Sequence, residues 1–375
     1  MAEQPVSVLL VVEQLRRRVP GGIGSFARGL LGGLARCGGD GEGVTTTLLA
    51  SRGPRAGDPL GAFGLPVVTS PWPGRLLTRA WDHRLAHAPE GFDVVHAVSL
   101  AAPPLHRGSP SRLAVTVHDV AWRRHPEATT RRGRRWHEAA LVRANRDAAA
   151  LVTPSRLVAA DLAAWGVDPA RVTIVPGGAD QLPPPDSAAT AALLGRVAVE
   201  GEFVLTVGTL EPRKNLGRLV QAYAQVRPSL PGPWPLVIVG PAGWGVAPPR
   251  HVEGVVFTGP VAAPVLAGLY GRARAFAYVP LTEGYGLPPL EAMREGTPAL
   301  VSDQVPSVHD LGDDAPAPAR LVDPLDVGEI AVGLAEVLTD EALRADLARR
   351  GAAHARARTW HDAARRYVTL WRSLA

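Results

Sequence analysis

Short apolar runs recur along this chain and alternate with stretches in which apolar residues return every three or four positions. Val8 to Val12 is a continuous apolar run, the pattern of a strand buried on both faces of a parallel sheet. Pro20-Gly21-Gly22-Ile23-Gly24-Ser25 follows, and Phe26 to Leu34 continues at helical spacing. Further strand-like runs lie at Thr46 to Ala50, Asp93 to Ala97, Leu113 to Val117, Ala150 to Thr153 and Val172 to Val175. Strands alternating with helices imply right-handed βαβ units and a parallel sheet. The pattern loosens between Ala179 and Gly201, where Gln181-Leu182-Pro183-Pro184-Pro185-Asp186 reads as a stiff break. A second series then begins. Strands are predicted at Val204 to Val207, Leu236 to Val239, Gly254 to Phe257, Ala275 to Val279, Pro298 to Val301 and Arg320 to Val322. Helices are predicted at Leu216 to Val226, Val261 to Arg272, Pro288 to Gly296 and Val327 to Thr339. Trp360 to Leu374 reads as an amphipathic helix carrying Trp360, Tyr367, Leu370 and Trp371.

The expected architecture is therefore α/β, with two successive doubly wound, Rossmann-like parallel-sheet domains. The first is expected over 1–183, a linker over 184–200, the second domain over 201–355, and a C-terminal helix over 356–375 packing back toward the first. Ligands of such sheets sit beyond the carboxyl ends of the strands. With two facing domains, the central cleft is the expected site.

Composition narrows the class. A length of 375 residues favours two domains. Hydrophobic content of 46% with 20% charged residues describes a folded globular chain. The single cysteine, Cys37, excludes an internal disulfide framework and a multi-cysteine zinc site, and suits a reducing compartment. No apolar run reaches the roughly 20 residues that span a bilayer, and Val6 to Val12, closed by Glu13, reads as a first strand and not as a leader. A formal charge of +5 points to anionic ligands or surfaces without distinguishing among them.

One position stands out chemically. Lys214 is the only lysine in a chain that otherwise uses arginine. Lysine is a compact point charge on a flexible stem, suited to reaching a phosphate oxygen, where arginine is a planar fork. It lies in Gly208-Thr209-Leu210-Glu211-Pro212-Arg213-Lys214-Asn215, directly after a predicted strand. A second segment, Thr282-Glu283-Gly284-Tyr285-Gly286-Leu287-Pro288-Pro289-Leu290-Glu291-Ala292-Met293, follows another. Its glycines let the backbone approach a ligand, and its prolines suit a helix first turn, whose free N–H groups bind phosphate or sugar oxygens. Glu283 and Glu291 can address different parts of one ligand; as plain structure, they are favourable anions at a helix start. His118 follows the predicted strand Leu113 to Val117, with Asp119 next. The glycines at 21, 22 and 24 also fit a dinucleotide-binding turn, but no GxGxxG register is present.

Together these segments resemble retaining glycosyltransferases of the GT4 type (group 1), which have the two-domain GT-B fold. The glutamate pair in EGYGLPPLEAM is similar to the family's pair, and GTLEPRKN resembles its diphosphate-binding loop in the form of mannosyltransferase-like bacterial members. PGGIGSF (20–26) resembles its first glycine loop, Val117-His118-Asp119 its histidine segment, and LVTPSR (151–156) with VTIVPGG (172–178) the end of its first domain. The resemblance runs in order along nearly the whole chain. It implies that Glu291 accepts hydrogen bonds from ribose hydroxyls, that Glu283 holds donor-sugar hydroxyls, and that Gly284, Tyr285, Gly286 and Leu287 line the sugar and distal phosphate. Arg213 and Lys214 would neutralise the departing diphosphate, and His118 would contact the sugar near the reacting centre. Gly22, Gly24 and Val261 would complete the donor-binding set. The chain departs from the family in having Gly208-Thr209 where many members have Gly-Arg; Arg213 would supply that second charge.

The expectation is a cytoplasmic retaining hexosyltransferase without metal or cofactor, GDP-mannose being the leading donor and a UDP-sugar the other. The acceptor, a sugar, lipid-linked group or small molecule, is open. The alternatives are a nucleotide-sugar 2-epimerase and a catalytically silent GT-B binding subunit. Arg123, Arg124, Arg131, Arg132, Arg134, Arg135, Arg143 and Arg146, with Trp122 and Trp136, form a basic stretch. It reads as a solvated helix face with Glu127 and Glu138 interspersed, or as a peripheral contact with anionic membrane at the inner face of the cell membrane. No nucleic-acid motif accompanies it.

Overall fold

The computed structural model describes residues 4–17, 20–37, 43–53, 57–232, 234–245, 252–309 and 316–375. The chain divides into two compact units, Met1–Gln181 with Thr359–Ala375, and Leu182–Arg358.

Among the described residues, the first unit holds seven parallel strands: β1 Val6–Val11, β2 Val44–Ala50, β3 Val67–Thr69, β4 Val94–Ala97, β5 Arg112–Thr116, β6 Ala150–Thr153 and β7 Val172–Ile174. Their order is β3-β2-β1-β4-β5-β6-β7, so the direction of winding reverses between β1 and β4. Val8 pairs with Val94, and Val11 with Ala97, across that reversal. The central runs are buried on both faces, which is why they read as unbroken apolar segments. Between and after these strands lie the helices α1 Gly21–Arg36, α2 Gly74–Asp82, α3 Ala121–Arg124, α4 Arg131–Asp147 and α5 Arg156–Ala164.

Among the described residues, the second unit has six parallel strands: β8 Val204–Val207, β9 Leu236–Val239, β10 Val255–Gly259, β11 Ala275–Tyr278, β12 Ala299–Ser302 and β13 Arg320–Val322. Their order is β10-β9-β8-β11-β12-β13, with the reversal between β8 and β11. Its helices are α6 Ser187–Arg196, α7 Leu216–Val226, α8 Ala263–Arg272, α9 Leu287–Arg294, α10 Val327–Thr339 and α11 Glu341–Arg356. The final helix, α12 Trp360–Leu374, belongs to the first unit.

The domain limits drawn from the sequence differ from these in two places. The segment expected as a linker at 184–200 contains α6, which belongs to the second unit. Asp186 caps it by accepting from the Ala189 N–H, and Thr190, Leu193 and Leu194 are buried. Gly268 on α8 leaves room for Thr190, since a Cβ there would come within 2.2 Å of the Thr190 Oγ1. The prolines before Asp186 thus set up a helix start. At the other end, residue 356 still closes α11, and the chain returns to the first unit at Thr359. Thr359 caps α12 through the Asp362 N–H.

Packing of α12 explains three glycines. A Cβ on Gly29 would lie 2.1 Å from the Trp360 ring, and one on Gly33 would lie 2.1 Å from the Trp360 carbonyl oxygen. One on Gly178 would meet the Trp360 nitrogen at 2.2 Å. The indole is anchored as well as packed: its Nε1–H donates to Gln181 at 2.8 Å, and the Trp360 backbone N–H donates to Asp180 at 2.7 Å.

Candidate active site

The second unit gathers its chemistry at the carboxyl ends of β8 and β11, the strands that flank the reversal. A parallel sheet leaves a crevice there because the connections on its two sides run to opposite faces. The loop after β8 closes with a helical turn over Pro212–Lys214, and Asn215 follows in the left-handed conformation at φ 57°. Asn215 is fixed there because its Nδ2 donates to the Val279 carbonyl at 2.9 Å and the Pro324 carbonyl at 2.7 Å. The turn therefore aims Arg213 and Lys214 at the segment leaving β11. The backbone joins the two loops directly, with the Leu281 N–H donating to the Arg213 carbonyl at 2.9 Å.

Glu283 meets both cations. Its Oε1 lies 2.5 Å from the Lys214 Nζ and its Oε2 lies 2.9 Å from an Arg213 nitrogen. Arg213 also pairs with Glu211 at 2.9 Å and donates to the Thr282 carbonyl at 3.2 Å. Tyr278, the last residue of β11, completes the group: Lys214 donates to its hydroxyl at 2.8 Å, and the hydroxyl donates to Glu283 at 2.8 Å. Glu283 is only 9% exposed, so burial alone would raise its pKa, but Arg213 and Lys214 outweigh burial and bring it down to about 2. Desolvation, reinforced by Glu283, pushes the Tyr278 phenol well above its usual value, so it stays a neutral donor.

The glycine-rich turn is held from the far side. Gly286 has φ 98°, and a Cβ there would come within 2.4 Å of Val305. Ser307 donates from its hydroxyl to the Gly286 carbonyl at 2.7 Å and from its N–H to the Tyr285 carbonyl at 2.9 Å. Helix α9 begins at Leu287, with Pro288 and Pro289 in its first turn, where their missing N–H groups cost nothing. Gly284 and Tyr285 lie in the turn before it. Glu291 is buried one turn into α9 and accepts from the Tyr270 hydroxyl at 2.8 Å, a partner on α8 outside the Lys214 group. Val261 lies between β10 and α8, beyond a strand two places from β8.

The other expected residues are in the first unit. His118 follows β5, and its Nε2 lies 2.7 Å from the Val98 carbonyl, just past β4. A carbonyl only accepts, so Nε2 carries the proton and Nδ1 presents a lone pair. Burial lowers the pKa of His118 against the opposing pull of Val98 and Asp119, which keeps the ring neutral at pH 7. Phe26 of α1 packs edge-on against His118 at 4.7 Å, and against Trp360 at 5.1 Å and Tyr367 at 6.3 Å. The sequence PGGIGSF is thus a helix start: Gly22 and Gly24 lie in the first turn of α1. A Cβ on Gly24 would strike Pro20 at 2.2 Å, whereas Gly22 faces open space. Sequence reasoning did not single out Tyr278, Glu211, Asn215, Ser307 or Phe26. Tyr278 and Phe26 sit inside apolar runs and look like core, while Asn215 lies beside Lys214 with no visible partner in the sequence.

Half of the arginine stretch is engaged in ion pairs. Arg123 pairs with Glu138 at 2.8 Å, Arg124 with Asp161 at 2.6 Å, Arg146 with Asp147 at 2.7 Å, and Arg143 with Asp82. Trp122 is buried, and the Trp136 Nε1–H donates to Asp82. Arg131, Arg132, Arg134 and Arg135 remain exposed on the first turns of α4. Among the described residues, no helix is long and apolar enough to cross a membrane, and no three His, Cys, Asp or Glu side chains stand where they could hold a metal ion.

Comparison with known proteins agrees with both halves. The "Glycosyltransferase Family 4" model matches residues 20–181 and the "Glycosyl transferases group 1" model matches residues 196–354. Escherichia coli O-antigen chain mannosyltransferase B is 32% identical over 179 residues, 46% of each chain. A D-inositol 3-phosphate glycosyltransferase of Acidothermus cellulolyticus is 31% identical over 225 residues, 56% of this chain and 49% of that one. The matched stretches span about half or less of these relatives. Among solved structures, Anabaena HepE in complex with UDP and glucose superposes with a TM-score of 0.72 at 18% identity, over 98% of this chain and 100% of that one. That likeness shows the GT-B fold, two Rossmann-like parallel-sheet domains. With both family models matched in order along one chain, this protein belongs to the group 1 (family 4) glycosyltransferases.

Proposed function

We propose that this protein is a retaining, metal-independent glycosyltransferase that moves a hexose, mannose first among them, from a nucleotide-diphosphate sugar to an acceptor hydroxyl. The observation that carries the reading is the meeting of Lys214 and Arg213 with Glu283 at the reversal of the second sheet. Two half-buried cations next to the starts of α7 and α9 form a setting for a leaving diphosphate. Glu283, ionised at any physiological pH, accepts hydrogen bonds from sugar hydroxyls, and Glu291 does the same for the ribose. His118 offers its Nδ1 lone pair to a hydroxyl. In this mechanism the bond from C1 to the diphosphate oxygen breaks and the acceptor oxygen bonds C1 on the same face. The acceptor proton passes to the departing diphosphate oxygen.

Mannose is favoured by the mannosyltransferase among the relatives, and GDP as its carrier by the resemblance of GTLEPRKN to mannosyltransferase-like members. UDP-glucose is the second reading, favoured by the HepE complex with UDP and glucose. A nucleotide-sugar donor fits a cytoplasmic site of action, and contact of Arg131, Arg132, Arg134 and Arg135 with anionic lipid is a separate reading that liposome flotation decides.

The test has two parts. In a thermal-shift panel of GDP, UDP and ADP, GDP is expected to stabilise most. In steady-state assays, Lys214→Ala and Glu283→Ala are each expected to lower turnover by about tenfold or more with the fold retained. Normal turnover in both variants would remove the proposed site.

A further inference from the structure

Glu283, Lys214 and Tyr278 form a closed triangle. The Lys214 ammonium lies 2.5 Å from Glu283 and 2.8 Å from the Tyr278 hydroxyl, and that hydroxyl lies 2.8 Å from the same Glu283 oxygen. A phenol has one proton and spare lone pairs, so Tyr278 accepts from the lysine and donates to the carboxylate at once. The other Glu283 oxygen takes Arg213, which Glu211 shares. Two cations and two carboxylates therefore sum to zero charge. A diphosphate approaching Arg213 and Lys214 competes with Glu283 for the same N–H groups.

That competition poses a physical problem. A buried carboxylate that loses its cations costs more than the hydrogen bonds it gave up, because its charge is left unsolvated. Lys214 can move, since its stem is flexible and its methylenes lie over Gly208, where even a Cβ would sit 3.4 Å away. Tyr278 cannot follow. It ends a central strand, is 3% exposed, and lies stacked on Phe276 at 5.9 Å. Its hydroxyl therefore keeps donating to Glu283 whichever way the lysine turns.

We propose that Tyr278 is the positioning residue that retains Glu283 when a nucleoside diphosphate takes over Lys214 and Arg213, so that Glu283 acts as an internal anion competing with the donor's diphosphate. The proposal rests on the function inferred above. It makes two substitutions in one triangle act in opposite directions, which loss of structure alone would not do. Tyr278→Phe leaves Glu283 dependent on its cations and weakens diphosphate binding. Glu283→Gln removes the competing charge, keeps the shape and strengthens binding, although sugar transfer falls.

The experiment is isothermal titration of the full chain with GDP and with UDP, for wild type, Tyr278→Phe, Glu283→Gln and Lys214→Ala. For whichever nucleotide binds the wild type, Tyr278→Phe should raise Kd by about tenfold, the scale of one hydrogen bond to a charged group. Glu283→Gln should lower it, and Lys214→Ala should raise it. Unchanged affinity in Tyr278→Phe, or weaker binding in Glu283→Gln, overturns the hand-over while a weakened Lys214→Ala leaves the proposed function standing. Unchanged affinity in Lys214→Ala overturns both.

Discussion

In the first unit, two histidines near the reversal between β1 and β4 are held neutral by burial. His118 leans on Phe26, and His96 accepts from the Trp371 indole at 2.8 Å while its other nitrogen meets Thr116 at 2.9 Å. In the second unit, the groups at the reversal between β8 and β11 are charged: Arg213, Lys214, Glu211 and Glu283 within one cluster. The strand order around the reversal is the same in both, yet the first packs neutral imidazoles against aromatic rings and the second gathers ion pairs. A parallel sheet thus supplies a location and leaves the chemistry to the loops. It also means that the two sites respond to different perturbations, the first to loss of packing and to acid, the second to loss of a charge.

The largest expected effect tests the packing side. Trp360 is fully buried and fills the space left by Gly29 and Gly33. Trp360→Ala is expected to cost about 3–5 kcal/mol in urea unfolding. It should also lower turnover by loosening Phe26 under His118. A loss below about 1 kcal/mol would mean that α12 is not what holds the neutral site.

Acid sharpens the contrast. Burial, with a smaller contribution from His118, takes His96 from 6.5 down to about 3. Its folded pKa lies below the unfolded one, so its contribution is complete above pH 6.5 and is lost as pH falls toward 3. Between pH 7 and pH 5 that amounts to about 2 kcal/mol. Glu283, also depressed, keeps its contribution until pH drops below 4.5. The second unit has its own acid-sensitive group, His354, lowered to about 4 chiefly by burial, so the measurement must isolate His96. His96→Gln retains a donor and an acceptor and should flatten the pH 7 to 5 slope by about 2 kcal/mol. An identical slope in variant and wild type would show that His96 is not the titrating group.

The smallest effect separates two kinds of glycine. Gly22→Ala faces open space within a helix and is expected to stabilise the protein by about 0.5–1 kcal/mol, while lowering turnover if α1 begins beside a ligand. Gly33→Ala, which would force a Cβ to 2.1 Å from the Trp360 carbonyl, should destabilise by about 1–3 kcal/mol. Matching melting shifts of the two would erase the distinction.

Most central strands were legible because they are buried on both faces and so appear as unbroken apolar runs. The elements that escaped lack that signature. β3 has three residues at a sheet edge and none of them is buried. α6 follows three prolines, and α11 buries mainly small residues such as Gly351, Ala352 and Ala355. Lys214 and the Glu283–Glu291 spacing were visible because their residue types are rare or ordered along the chain. Their supports were not, because they come from distant places: Lys214 meets Tyr278 across 64 residues, and Trp371 meets His96 across 275.

The return of Thr359–Ala375 to the first unit has a consequence for how the chain matures. During synthesis, residues 1–181 emerge before the helix that covers Phe26, and the whole second unit must be made before that helix follows. Until then, the ring beneath His118 and the bare faces of Gly29 and Gly33 stay wet. The second unit, continuous in sequence, can reach its native packing first. The neutral site therefore cannot be complete before Thr359–Ala375 is made, whereas a nascent chain stopped at Arg358 already carries every residue of the ionic cluster.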